Sequence, residues 1–181
     1  MALCFQPPYG RFHFSSLRQL SFQDNFQNFL LQTKTNLGET DETWKFCLGD
    51  FNGDGSLDLY CIKKRNTGSG KTEVHILGGK SNFQNFLLQT GTTLTQTDDN
   101  WDFGVSGKNI CCIAKNNTGS HKTEVHILNG NNNFQNFLTQ SNTQLQETGN
   151  DFAFYVYEDI LFAFSKQGHN STEVHCLSLQ N

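Results

Sequence analysis

The chain repeats one unit three times, and this repetition limits its possible folds more than any other feature. The segment FQNFLLQT begins at Phe26 and again at Phe83, and FQNFLTQS begins at Phe134, so the spacings are 57 and 51 residues. TWKF, NWDF and DFAF share a second equivalent place, and KTEVHIL, KTEVHIL and STEVHCL share a third. The six-residue difference in spacing is the segment DFNGDG, which only the first unit contains. Self-similarity of this kind is typical of repeats that share one core.

Each unit contains four short runs that are typical of β-strands. WKFCLG alternates apolar and polar side chains, LDLYCIKK is apolar on both faces, and TEVHIL and FQNFLLQT complete the unit. Turn residues in NTGSGK and GGKSN separate these runs, and no run of useful length has helical periodicity. We therefore expect an all-β fold of three four-stranded antiparallel repeats, built as β-propeller-like blades or as a single β-trefoil.

The repeats also predict the domain organisation. Residues 1–25 match no repeat and are expected to form an N-terminal arm. The β domain is predicted to comprise a closing strand at 26–33, repeat 1 at 43–90, repeat 2 at 100–141 and repeat 3 at 151–177, within residues 26–181. Because repeat 3 lacks its own fourth strand, the closing strand is expected to complete a sheet, either in the same chain or in a second copy.

The composition favours a polar β-protein. The net charge is −4 and there is no basic run, which argues against nucleic acid as a partner. Only 17% of the 181 residues are charged, yet the mean hydropathy is −0.53, because Asn, Gln, Thr, Ser and Gly are abundant. Such a surface suits neutral hydroxylated ligands. No run approaches the ~20 apolar residues of a membrane span, and MALCFQPPYGRFHFSSLRQL lacks the pattern of a signal peptide.

Cysteines and glycosylation sequons give two further expectations. The six cysteines are Cys4, Cys47, Cys61, Cys111, Cys112 and Cys176. Five of them replace apolar residues in predicted strands, so buried thiols are favoured over a disulfide framework. Asn116 and Asn170 match the sequon. The sequons, together with a calcium loop described below, favour an extracellular location, although the missing signal peptide points the other way.

The segment GDFNGDGSLDLY places oxygen-bearing side chains at alternate positions. Gly53 and Gly55 permit a tight turn, and oxygen atoms are the ligands that Ca²⁺ prefers. The predicted ligands are Asp50, Asn52, Asp54, Asp58 and the carbonyl group of Ser56. The loop is not an EF-hand, because its twelfth position is Cys61 and no helices flank it. We expect one structural Ca²⁺ that braces the inserted hairpin, and the alternative is a loop without an ion.

The run FCLGDFNGDGSLDLYCIKK, followed by TEVHILGG and NFQNFLLQT, resembles the FG-GAP or VCBS repeat. This family builds blades of β-propellers in integrin α-chains and in several lectins, so the resemblance implies blades and a lectin-like role. It covers roughly residues 26–181, and its specific part covers about 20 residues. Repeats 2 and 3 have SGKN and YEDI where the family has its loop. TEVHILGGKSNFQNFLL is more weakly similar to the Q-x-W signature of ricin-type β-trefoils.

Aromatic residues that follow acidic ones are the candidates for carbohydrate binding. Aromatic faces stack on the C–H faces of sugar rings, and nearby acids and amides bind the hydroxyl groups. The candidates are Trp44 with Glu42, and Trp101 with Asp98 and Asp99, while Phe152 occupies the equivalent place in repeat 3. The alternative is that these aromatic side chains pack in the core at the start of each first strand.

The repeated TEVH segment places a carboxylate and an imidazole on the same face of a strand. The pairs are Glu73–His75, Glu124–His126 and Glu173–His175. A structural pair is the favoured interpretation, while polar contacts to a ligand, metal ligation and general-base catalysis are the alternatives. Adjacent Cys111 and Cys112 point to opposite faces of a strand and do not form a metal pair.

No catalytic triad, paired catalytic carboxylates or phosphate-binding glycine loop is present, so an enzyme is not expected. The leading hypothesis is a non-catalytic, lectin-like carbohydrate-binding protein that self-associates through strand exchange. The alternative is a structural protein that assembles into a ring or filament by N-terminal strand donation. The expected partners are glycans and further copies of the chain.

Overall fold

The computed structural model describes residues 27–168 and 171–180. The chain divides into two compact units, residues 1–32 and 33–181. In the first unit, described residues 27–32 contain no helix or strand and have exposed side chains. The predicted arm, residues 1–25, lies outside the described residues.

The second unit contains three antiparallel sheets of four, four and three strands, and none of them is closed. Sheet 1 contains β1 (Trp44–Gly49), β2 (Asp58–Lys63), β3 (Lys71–Leu77) and β4 (Phe86–Thr95). Sheet 2 contains β5 (Trp101–Ser106), β6 (Asn109–Ala114), β7 (Lys122–Leu128) and β8 (Phe137–Gln146). Sheet 3 contains β9 (Phe152–Tyr157), β10 (Ile160–Gly168) and β11 (Ser171–Ser178). Short 3₁₀ turns, Gly79–Ser81 and Gly130–Asn132, connect the third and fourth strands of sheets 1 and 2.

The all-β prediction is therefore confirmed, with one sheet for each predicted repeat. In every sheet, strands that are consecutive in sequence are neighbours. The predicted fourth strand is displaced along the chain, since β4 begins at Phe86 rather than Phe83. The displacement arises because Asn82 and Phe83 have left-handed backbone conformations, with φ of 51° and 61°, which end the preceding turn before the strand can start.

The sheets stack face to face in chain order. We call the face that carries Trp44, Trp101 or Phe152 the front face of its sheet, and the opposite one the back face. Two apolar clusters fill the spaces between sheets. The first joins the back face of sheet 1 to the front face of sheet 2 through Tyr60, Ile62, Val74, Ile76, Phe103, Ile110, Cys112 and Leu128. The second joins the back face of sheet 2 to the front face of sheet 3 through Cys111, Ile113, Val125, Ile127, Phe154, Leu161 and Ala163.

The front face of sheet 1 and the back face of sheet 3 have no sheet packed on them within the described residues. Large apolar side chains are accordingly exposed there. Leu48 is 55% exposed on sheet 1, and Tyr155 and Tyr157 are 65% and 66% exposed on sheet 3. The stack of sheets thus ends in two apolar surfaces.

Phe134 inserts between sheets 1 and 2. It follows the turn Gly130–Asn132, has a φ of 62° and is fully buried. Its ring lies 6.0 Å from that of Phe51 and 6.5 Å from that of Tyr60, measured between centroids. Its carbonyl group also accepts a hydrogen bond from the Thr93 N–H at 3.0 Å. The start of the FQNF segment of repeat 2 is therefore a wedge toward sheet 1 and not part of a strand.

The hairpin lengths agree with the six-residue insertion. Residues 50–57 join β1 to β2, whereas Gly107 and Lys108 join β5 to β6, and Glu158 and Asp159 join β9 to β10. The two short hairpins begin with a residue of positive φ, 56° at Gly107 and 50° at Glu158. This backbone conformation matches the twist of a tight hairpin, so these repeats need no longer loop.

The prediction of buried thiols is confirmed for Cys61, Cys111 and Cys112, and Cys47 is half-buried. Cys111 and Cys112 belong to different clusters on opposite faces of sheet 2. For Cys176 the prediction is wrong, because this residue lies on the uncovered back face of sheet 3 and is exposed. All five cysteines are free thiols, and Cys4 lies outside the described residues.

The predicted closing strand is not formed in the single chain. Residues 27–33 contain no strand, and residue 26 lies outside the described part. Sheet 3 consequently ends at β11, which is hydrogen-bonded to β10 as its neighbour in the sheet order.

Replacing Gly130 by alanine should lower the free energy of unfolding by about 2–3 kcal/mol, because overpacking a tight site forces the backbone to move. A Cβ atom on Gly130 would lie 2.1 Å from the backbone oxygen of Lys108, which has no flexible end to give way. Gly119→Ala is the matched control, since a Cβ there meets nothing within 4 Å. Urea denaturation of both variants tests this, and equal losses would contradict it.

Candidate binding clusters

The TEVH histidines of repeats 1 and 2 each lie between two aromatic side chains on the front face of their sheet. His75 has its ring centroid 5.5 Å from that of Trp44 and 6.2 Å from that of Phe86. His126 has the same neighbours in sheet 2, at 5.3 Å from Trp101 and 5.8 Å from Phe137. The front face thus repeats one cluster built from the first, third and fourth strands.

Glutamine side chains from the fourth strand set the orientation of these histidines. The Gln89 Nε2 amide donates to His75 Nδ1 at 3.1 Å, and Gln140 Nε2 donates to His126 Nδ1 at 2.9 Å. Because Nδ1 accepts, the ring proton is on Nε2, and His126 Nε2 donates it to the Glu124 carboxylate at 3.0 Å. The equivalent distance from His75 Nε2 to Glu73 is 3.6 Å.

Serine residues in the preceding turn hold the two glutamates. Ser69 donates its N–H and hydroxyl group to Glu73 at 3.1 and 2.8 Å, and Ser120 donates equivalently to Glu124 at 3.3 and 2.7 Å. For Glu73, burial raises the pKa, but the Ser69 hydrogen bonds and the His75 imidazole outweigh it, so the pKa is lowered overall. For Glu124, the Ser120 hydrogen bond lowers the pKa in spite of burial. Both side chains are therefore anchored carboxylates.

The third cluster is incomplete. Phe152 stacks on His175 with a centroid distance of 6.2 Å, and His175 Nε2 lies 3.6 Å from the Glu173 carboxylate. Within the described residues, sheet 3 has no fourth strand to supply a glutamine and a phenylalanine. The His175 side chain is 38% exposed, compared with 13% for His126.

A cavity of about 330 Å³ lies beside the second cluster. Its wall is formed by side chains that donate or accept hydrogen bonds: Ser120, Glu124, His126, Gln140, Ser141 and Asn142. Ser141 and Asn142 are exposed on β8. The cavity therefore offers hydroxyl, carboxylate and amide groups to a small polar ligand.

The acidic residues predicted to bind carbohydrate lie in the turns before the first strands. Asp98 accepts from the Asn100 N–H at 2.9 Å. Asp99 binds Lys64 at 2.6 Å and Arg65 at 3.0 Å, and these hydrogen bonds lower its pKa to about 2. Glu42 is exposed. Trp44 and Trp101 are half-buried and contact the histidines, so the structure brings the tryptophans together with the TEVH pairs rather than with these acids.

The carboxylates of the predicted calcium loop accept hydrogen bonds from the loop backbone. Asp50 accepts from the N–H groups of Gly53, Asp54 and Gly55 at 2.8–3.0 Å. Asp54 accepts from the Ser56 N–H and from the Asn52 side chain, each at 2.9 Å. The Asn52 hydrogen bond lowers the Asp54 pKa. Asp50, Asn52 and Asp54 thus share one turn and are the side chains that would hold Ca²⁺ there, a role that stays a prediction.

Asp58, the remaining predicted side-chain ligand of calcium, holds the backbone, and its role toward Ca²⁺ stays a prediction. It is fully buried, and its two oxygens accept from the Phe51 and Gly79 N–H groups at 2.9 Å each. Asn109 accepts from the Gly130 N–H at 3.0 Å in the same way, in a hairpin without the loop. The Asp58 side chain therefore clamps the loop to the turn that follows β3. In the described part of the chain, no three His, Cys, Asp or Glu side chains are grouped as metal ligands.

The side chain of Asn116, in the first glycosylation sequon, is hydrogen-bonded. Asn116 Nδ2, the atom that a glycan would modify, donates to the Thr148 carbonyl group at 3.0 Å, while Asn170 lies outside the described residues. None of the described helices is long and apolar enough to cross a membrane.

Sequence reasoning missed Gln89, Gln140, Ser69 and Ser120. The glutamines recur in the FQNF segments, and the serines stand four residues before Glu73 and Glu124, so a comparison of the repeats could have identified all four residues. Their roles depend on strand register, since Gln89 lies opposite His75 and Gln140 opposite His126.

Acidification should destabilise the protein through His75. Burial lowers the His75 pKa below its usual value of 6.5, although Glu73 partly opposes this effect. A lowered folded-state pKa means that the unfolded chain binds protons more readily, so the contribution is present above about pH 6.5 and is lost as the pH falls through the folded-state pKa. Urea denaturation between pH 7 and 5 should show a smaller pH dependence in His75→Gln than in the wild type. An equal dependence would contradict this origin.

Compared with known proteins, the chain matches no family model, no curated protein and no solved structure.

Proposed function

We propose that the protein is a non-catalytic, lectin-like carbohydrate-binding protein whose sites lie at the repeated front-face clusters. The observation that carries this proposal is the polar cavity beside the second cluster, where Glu124, Gln140, Ser141 and Asn142 offer both donors and acceptors. A sugar ring presents hydroxyl groups that need such mixed partners. The cavity is open and shallow, which is typical of weak sites that gain strength by repetition.

The chemistry of the clusters supports binding rather than catalysis. The imidazole of His126 is already hydrogen-bonded at both nitrogens, to Gln140 and Glu124, so neither nitrogen is free to contact a substrate. Burial raises the pKa values of Cys61 and Cys111 to about 12, which keeps these thiols protonated and unreactive at neutral pH.

A glycan array followed by calorimetry on the best ligands tests the proposal. Asn142→Ala and Gln140→Ala should each weaken binding about tenfold, which corresponds to about 1.4 kcal/mol for one lost hydrogen-bonding group. Gln144→Ala is the matched control, because Gln144 is exposed on the same strand and does not line this cavity. A blank array at high protein concentration, or equal losses in all three variants, would overturn the proposal.

Self-assembly is the second candidate function, and the two apolar surfaces on which no described sheet packs favour it. Tyr155 and Tyr157 are exposed at one end and Leu48 at the other. We interpret the three sheets as blades of an open β-propeller that further copies of the chain complete. The native mass, measured by light scattering over a range of concentrations, tests it: a monomer throughout would exclude self-assembly.

A further inference from the structure

We propose that two copies of this chain join head to tail in a closed ring of six sheets, in which residues 27–33 of each copy become the fourth strand of sheet 3 in the other. This inference rests on the self-assembly hypothesis above, to which it adds the partner, the contacts, the strand register and the number of copies.

The two uncovered surfaces are of complementary type. Within the chain, both junctions between sheets bring a back face against a front face. The surfaces left over are the back face of sheet 3, with Tyr155 and Tyr157, and the front face of sheet 1, with Phe46 and Leu48 exposed. A second copy that repeats the existing junction brings these two surfaces together, and the contact is heterologous.

Hydrogen bonds from one glutamine in each of the first two repeats indicate that a fourth strand should precede sheet 1. The Gln135 Nε2 amide of repeat 2 donates to Thr90 Oγ1 at 3.2 Å and to the next carbonyl group at 2.8 Å, on the fourth strand of the preceding sheet. The equivalent Gln84 of repeat 1 donates to Thr33 Oγ1 at 2.9 Å and to the Lys34 carbonyl group. Thr33 therefore already occupies the place that a fourth strand of a preceding sheet would take.

The local backbone after Thr33 follows the same pattern. The Leu37 N–H donates to Thr35 Oγ1 at 3.2 Å. Leu94 and Thr92, the equivalent residues in β4, make this contact at 3.1 Å. Residues 33–37 thus have the local backbone contacts that end a fourth strand, although the described residues contain no sheet before sheet 1.

Sheet 3 has the vacancy that such a strand would fill. A cavity of about 280 Å³ lies between β7 and β8 of sheet 2 and β10 and β11 of sheet 3, with Val125, Ile127 and Leu161 in its wall. At the equivalent junction of sheets 1 and 2, Phe137 of the fourth strand packs against the core. Phe29 is the equivalent residue of the donated segment and is 80% exposed.

The same chain cannot supply this strand while Thr33 stays on Gln84. Six residues, 27–32, span at most about 20 Å when fully extended. Thr33 occupies the place of a sheet that would precede sheet 1, so sheet 3 lies three sheet spacings away. Stacked sheets lie about 10 Å apart, and the distance from Thr33 to sheet 3 is therefore about 30 Å. The donor must therefore serve another copy.

The pairing of β3 with β4 predicts the register. Ile76 lies opposite Leu88 and His75 opposite Gln89. By equivalence, Cys176 should lie opposite Leu31 of the other copy, and His175 opposite its Gln32, which completes the third cluster. β-Propellers generally contain about four to eight blades. Two chains with three sheets each would supply six blades, which lies within this range.

Disulfide trapping tests this register. Leu31→Cys, oxidised mildly, should form a disulfide with Cys176 of the other copy, because directly opposed strand residues lie within bridging distance. Non-reducing electrophoresis should show a covalent dimer, and mass spectrometry should find two bridges per dimer. The double variant Leu31→Cys, Cys176→Ser and the single variant Leu30→Cys, whose side chain points to the other face, are the controls and should give no such bridge.

The outcomes separate the ring from self-assembly in general. A dimeric wild type with the Cys176 bridge supports the ring. Larger assemblies, an intramolecular bridge, or a dimer that forms no bridge to Cys176 overturn the ring but leave self-association in place. A wild type that stays monomeric at all concentrations overturns both.

Discussion

Phe134→Ala should lower the free energy of unfolding by about 3–5 kcal/mol, the range for removing a buried phenylalanine side chain. Phe134 is fully buried between sheets 1 and 2 and contacts Phe51 and Tyr60. Its loss would leave a cavity at the junction that holds the two sheets together, where the backbone is fixed by the Thr93–Phe134 hydrogen bond. Urea denaturation followed by circular dichroism measures the change.

Phe83→Ala is the matched control. Phe83 has the same left-handed backbone and the same sequence context, but it is only half-buried, because no sheet precedes sheet 1 among the described residues. In dilute protein its loss should cost about 1–2 kcal/mol, in proportion to the smaller apolar area buried. Equal losses at the two positions would mean that Phe134 does not derive its effect from the junction between sheets.

The number of sheets and the strand order could be predicted from the sequence, because three nearly identical segments dictate three similar local structures. WKFCLG and KTEVHIL form β1 and β3 almost as the alternation of side chains indicates. FQNFLLQT was harder, since its first residues alternate like a strand. Their left-handed turn occurs at Asn82 and Phe83 as well as at Asn133 and Phe134, and the alternation of apolar and polar side chains gives no sign of it.

The candidate site was less predictable for a similar reason. The TEVH pairs could be found from the repeat, but Gln89 and Gln140 reach the histidines only through the pairing of the third and fourth strands. That pairing includes a register shift between Ile76 and Leu77, and between Ile127 and Leu128 in sheet 2. A single register shift changes which side chains share a face, and spacing within one strand cannot reveal it.

Asp58 shows that the spacing of side chains along the sequence can miss a structural role. In the sequence, it completes a row of alternating oxygen-bearing side chains, which favours a calcium ligand. In the structure, its side chain is fully buried and accepts a hydrogen bond from the Gly79 N–H, in the turn that follows β3. The three-dimensional neighbour, 21 residues away, decides its role.

Asp58→Ala should therefore lower the free energy of unfolding by about 3–4 kcal/mol, since it leaves two backbone N–H groups, those of Phe51 and Gly79, without an acceptor, and each such loss costs about 1–3 kcal/mol. Asp58→Asn should lose only about 1–2 kcal/mol, because an amide oxygen still accepts from Gly79, as Asn109 accepts from Gly130 in repeat 2, and only the Phe51 N–H loses its acceptor. Asn109→Ala also leaves one N–H group, that of Gly130, without an acceptor and should cost a similar amount.

Denaturation in excess Ca²⁺ and in chelator separates the clamp from a metal ligand. The deficit of Asp58→Ala relative to the wild type should be the same in both solutions, because the lost partners are the Phe51 and Gly79 N–H groups. An ion held by Asp50, Asn52 and Asp54 would stabilise the wild type and Asp58→Ala alike, by an amount that grows with the free Ca²⁺ concentration. A deficit that appears only when Ca²⁺ is present would show instead that Asp58 binds the ion, since the hydrogen bonds exist in either solution.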